Sequence, residues 1–137
     1  EISNTTYINP ALSDVYSLGN LLFYIMTKHQ PWTHLEPSGA VEGEEVGRRK
    51  LKGILPTFPD RFVATNKTAT QAMLYAVLSC YRTNQAERLS ARELASAMDK
   101  ALRWVRVRHP ASRRHVMQLF EKHPKKHKNI MMEHQTS

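Results

Sequence analysis

The stretch 13–26, reading S-D-V-Y-S-L-G-N-L-L-F-Y-I-M, constrains the fold more than any other part of the chain. Val15, Leu18, Leu22, Ile25 and Met26 recur at helical spacing, and Leu21, Phe23 and Tyr24 fill most of the remaining faces. A helix that is apolar nearly all round belongs in the middle of a protein. The run is too short and too polar at its start to cross a bilayer, which takes roughly 20 apolar residues. It therefore predicts one buried central helix with the rest of a mainly α-helical body packed around it. Ser13 or Asp14 would cap its first N–H groups. Pro31 would mark its exit, because proline disfavours helical geometry in the residue before it.

Three more helices follow from local signals. Residues 44–52 begin with Glu44 and Glu45, end with Arg48, Arg49, Lys50 and Lys52, and are followed by Gly53. That order suits the helix dipole and a glycine C-cap. The apolar side is thin, so this helix should lie on the surface. In 68–81, Met73, Ala76, Val77 and Cys80 share one face, which turns the single cysteine toward the core. Ser90-Ala91-Arg92-Glu93 is a capping box. Leu94, Ala97, Met98, Ala101, Leu102 and Val105 then form the clearest amphipathic stripe in the chain, which Pro110 should stop near Arg108. Residues 115–121 have enough apolar positions for one or two further turns.

Charge divides the chain. Residues 1–102 hold 11 Lys/Arg against 10 Asp/Glu, whereas 103–137 hold 9 against 2 and add five histidines. This predicts a near-neutral folded unit over 1–108 and a basic, disordered tail over 109–137. With one cysteine there is no disulfide framework within the chain. Together with the absence of a leader or membrane span in the sequence, this points to an intracellular setting, cytoplasmic or nuclear. The chain begins at Glu1 rather than Met, which reads as a piece of something longer.

Two motifs carry a family resemblance. Asp14-Val15-Tyr16-Ser17-Leu18-Gly19, an apolar run, then Lys28-His29-Gln30-Pro31-Trp32 resembles the central helix of the C-terminal lobe of eukaryotic protein kinases. The usual wording there is D-V-W/Y-S-L/F-G, apolar residues, then T-G-x-x-P-F/W. Farther on, the family has C-L-x-x-D-P-x-x-R-P-S/T. Cys80, Asn84, Glu87, Arg88 and Ser90 match or nearly match it, while Asn84 replaces the aspartate and Gln85 and Leu89 replace the two prolines. The resemblance covers roughly 1–108 and implies the helical C-terminal lobe of a protein-kinase-like fold, lying after the A-P-E motif. It also implies that 44–52 is the peripheral helix the family often uses for docking.

Roles follow from that resemblance. Asp14 would accept backbone N–H bonds from the catalytic loop and stiffen it from beneath; the plain alternative is a helix N-cap. Leu21 and Ile25 would support the hydrophobic stack under the adenine, or simply fill the core. Arg88 would pair with the A-P-E glutamate and tie the lobe together, a task suited to a planar guanidinium. Glu1 stands about where that glutamate would be. The alternative for Arg88 is an exposed turn residue. Tyr24 replaces the glutamate of many kinases that favour basic substrates, which argues against selection for arginine near the phosphosite.

No residue of the chain is read as catalytic. It has no glycine-rich phosphate loop, no V-A-I-K lysine, no H-R-D loop and no D-F-G aspartate. ATP and Mg2+ are implied for the whole parent domain and not for this chain. No metal site is read either: His123 and His127 are four apart but flank Pro124 in a lysine-rich run. The expected function is that of a C-terminal lobe fragment whose full domain moves phosphate from ATP to protein serine or threonine in preference to tyrosine. Its partners would be the rest of the kinase domain and a protein substrate or docking partner. One alternative is a pseudokinase or scaffold lobe. Another is a helical module whose basic end, with Arg103, Arg106, Arg108, Arg113 and Arg114, binds nucleic acid or an acidic membrane surface.

Overall fold

A computed structural model of the chain describes residues 10–122, with side chains from Asp14 onward. The described part is mainly helical and contains no strand. The elements are α1 (Pro10–Thr27), α2 (Gly43–Leu51), α3 (Asp60–Val63), α4 (Thr68–Cys80), a 3-10 turn (Gln85–Glu87), α5 (Ala91–Arg106) and α6 (Arg113–Leu119).

The centre of the body is α4, which packs against α1, α3, α5 and α6. Its sequence allows this: Gln71, Leu74, Ala76, Val77, Ser79 and Cys80 are all buried, and the small residues among them let neighbouring helices approach. Cys80 faces the core, as its spacing predicts.

The expected central helix, α1, is only half enclosed. Val15, Gly19, Leu22, Phe23 and Thr27 form its buried face, toward α4. The opposite flank runs through Asp14, Ser17, Leu21, Tyr24, Ile25 and Lys28, all exposed. Leu21, Tyr24 and Ile25 are 55%, 50% and 57% exposed. The apolarity of this helix thus predicts too much burial, because the described elements cover one side of it. The helix also begins earlier than expected, with Pro10 at its first position, where proline's missing N–H costs nothing. Asp14 is consequently inside α1 and not at its cap; the side chain of Ser13 lies outside the described residues.

The ends of the helices follow local chemistry. After α2, Gly53 (φ +74°) donates its N–H to Lys50 O at 3.0 Å, and Ile54 N–H reaches Arg49 O at 2.9 Å. This is the Schellman closure that the glycine suggests. At α5, Ser90 Oγ accepts from Glu93 N–H at 3.1 Å, and Glu93 Oε1 accepts from Ser90 N–H at 2.9 Å. The capping box is therefore complete. After α1, Lys28 takes the left-handed conformation (φ +63°) and donates its N–H to Tyr24 O at 2.7 Å. The following loop is pinned by Glu36, a buried carboxylate. Its Oε2 accepts from Thr57 N–H at 2.7 Å, and its Oε1 lies 3.5 Å from Arg49 Nη1.

The folded body does not stop at 108. Val116 and Phe120, in and just after α6, are fully buried, and α6 packs on α4 and α5. Arg113 donates to Tyr75 Oη at 3.2 Å and to Thr65 O. Lys122 donates to Arg88 O at 3.3 Å. Residues 109–122, expected to belong to the tail, are therefore part of the packed body. The remainder of the basic tail, with His123 and His127, lies outside the described residues.

Candidate functional site

The two motifs meet where α1 crosses α4. Gly19 makes the crossing close: a Cβ there would stand 2.7 Å from Cys80 Cβ and 3.0 Å from Tyr81 Cε1. No real Cβ tolerates that first distance, so glycine is required by the packing. On either side of it, Tyr16 stacks against Tyr81 with ring centroids 4.9 Å apart, and Tyr81 Oη donates to Asn20 Oδ1 at 2.7 Å.

Arg88 closes this junction. It follows the 3-10 turn and is 5% exposed, so the exposed-turn alternative does not hold. Its Nε and Nη2 donate to Arg82 O at 3.0 and 2.6 Å. Its guanidinium lies 5.4 Å from the centroid of the Tyr16 ring, and Lys50 Nζ lies 4.6 Å from the same ring. Two cations thus share one aromatic ring, each such contact contributing about 0.5–1 kcal/mol. Glu1, the partner expected for Arg88, lies outside the described residues.

Burial governs the titration of this cluster. It pushes the Cys80 thiol up to about 11, against the opposing pull of the Arg88 charge. It raises the Tyr16 and Tyr81 phenols as well. Burial also lowers the Arg88 guanidinium, with Tyr16 and Cys80 working the other way. A protonated, enclosed thiol is a poor nucleophile. The contacts of this junction brace α1 against α4.

The remaining expected residues fall on the open flank of α1. Asp14 is exposed in the second turn. Leu21 and Ile25 follow it along the same flank, with Tyr24 between them, so their reading as enclosed core does not hold within the described body. Arg88 is brought to Tyr16 on the neighbouring face. Sequence reasoning missed Lys50, whose contact with Tyr16 joins segments far apart in the chain. It also missed Glu36, a lone acid in a polar loop with no pattern to mark it as buried.

No family model matches the chain, and no match is found among curated proteins or solved structures. Among the described residues, no three His, Cys, Asp or Glu side chains stand together as metal ligands. None of the described helices is long and apolar enough to cross a membrane.

Proposed function

We propose that this chain is the C-terminal lobe portion of a protein kinase domain, whose remaining part supplies the groups that hold ATP, Mg2+ and the acceptor serine or threonine. One observation carries this reading. The stretches that resemble two separate kinase motifs come into contact, with Arg88 of the second buried over Tyr16 of the first. The backbone at Lys28 adds to it. That residue stands where the family writes glycine, and its positive φ is the conformation for which glycine is suited.

The open flank of α1 is then the face against which the rest of the domain lies. Leu21, Tyr24 and Ile25 offer it apolar area, and Asp14 offers a carboxylate able to accept more than one backbone N–H. In this role Asp14 is a positioning residue for the catalytic loop, and Arg88 holds α1 in the orientation that presents it.

The test is to join the chain to the coding sequence upstream of Glu1 and measure transfer of labelled phosphate from ATP to a serine/threonine protein acceptor. Asp14→Ala should lower kcat by about tenfold to a hundredfold, the loss of one charge-assisted bond of about 1.5–3 kcal/mol. KM for ATP should change much less. A longer protein that folds, transfers no phosphate and leaves Leu21 and Ile25 open to solvent would overturn the proposal. If it transfers none but covers that flank, the scaffold alternative takes its place.

A further inference from the structure

The α5–α6 side of the body carries a feature unrelated to the α1 flank. Lys100 and Trp104, one turn apart on α5, line a cleft of about 360 Å3 with His109, His115, Gln118 and Leu119. The rings of Trp104 and His109 lie together, their centroids 5.1 Å apart and their planes 32° from parallel. His115 is fixed by the capping box of α6: Ser112 N–H donates to its Nδ1 at 3.5 Å. That leaves Nε2 as the N–H donor of the neutral ring. Among the described residues, no carboxylate lines the cleft. Asp99, next to Lys100 in sequence, is engaged by Arg103 at 2.8 Å.

Trp104 and Leu119 give the cleft an aromatic and apolar lining, and Lys100 and the two histidines give it N–H donors. That combination suits a flat ring attached to a phosphate. Arg106, in the last turn of α5, and Arg108 and Arg114 beyond it are exposed cations. These charges exceed what one mononucleotide would neutralise, so a run of phosphates fits better than a single one. We propose that this cleft binds single-stranded nucleic acid, with one base stacked at Trp104 and the adjoining phosphates at Lys100, His109 and His115. The inference is independent of the kinase reading. It also differs from binding by the tail, because the folded helices supply the site.

The experiment measures fluorescence anisotropy of a labelled oligothymidylate with the full chain. His115→Glu is the informative variant. Glutamate at that capping position keeps the cap of α6 while it places a negative charge in the cleft and removes the ring N–H donor. Affinity should fall by about tenfold or more with the thermal midpoint unchanged or raised, and Trp104→Leu should fall by about tenfold through lost stacking. A variant of the whole 137-residue chain with Lys125, Lys126 and Lys128 changed to glutamine should bind within about threefold of the unaltered chain, beyond the general effect of charge. Full binding by His115→Glu, or its loss on changing the three tail lysines alone, would overturn the proposal. So would a duplex of equal length binding as tightly, or competition by AMP or inorganic phosphate that matches unlabelled oligothymidylate at equal phosphate concentration.

Discussion

Lys28 holds a backbone conformation that its side chain does not favour. At φ +63° an L-residue with a Cβ is in the left-handed region, at a cost of about 1–2 kcal/mol. It stays there because its N–H closes α1 on Tyr24 O. Lys28→Gly should therefore stabilise the protein by about 0.5–1 kcal/mol, glycine's greater freedom when unfolded taking back part of the gain. The urea midpoint should rise at constant slope; a midpoint that falls would show that the lysine side chain contributes more than its backbone costs. The resemblance marked this position as one where glycine is usual, but a lysine alone gives no signal of a positive φ. Gly19 is the opposite case. Its place in the motif was visible, whereas the reason for it, Cys80 and Tyr81 at contact distance, exists only after α1 meets α4.

At the scale of elements, the strongly patterned helices were legible almost to the residue. The expected 44–52, 68–81 and capped amphipathic helix correspond to α2, α4 and α5. The one or two turns expected over 115–121 correspond to α6, but its place in the packed body, and not in a tail, was not foreseen. Seven residues after a proline, in the most basic part of the chain, carry little helical signal of their own. Their order comes from Val116 and Phe120 entering the core and from Arg113 reaching Tyr75. Phe120→Ala should cost about 3–5 kcal/mol, the range for emptying a filled aromatic site. Thermal unfolding measures this; a change of less than about 1 kcal/mol would mean that α6 is a dispensable appendage.

For the whole molecule, the helical class was readable because periodicity reports which faces are apolar. Periodicity does not report what covers them. The apolar character of α1 was real, yet one flank is left open by the described elements, and α4 holds the central place instead. Leu21, Tyr24 and Ile25 together make an exposed strip of the kind that drives self-association. Changing Leu21 and Ile25 to glutamine should raise the concentration at which the chain stays monomeric in sedimentation. Its unfolding free energy should move by no more than about 0.5 kcal/mol, as for other exposed sites. A large loss of stability would mean that the strip is covered within the chain. As for the candidate site, the motif residues were legible. The joining of Arg88, Lys50 and Tyr16 was not, since segments distant in sequence meet only through the packing of helices.

The fit between Gly19 and Cys80 has a consequence for any redesign of this body. With no slack at the crossing, even one added methyl must lever the two rods apart, swinging Tyr16 out from beneath Arg88. Bulk admitted at one of these two positions has to be given up at the other, so they behave as a single locus, and a library that varies them separately will sample mostly broken frames.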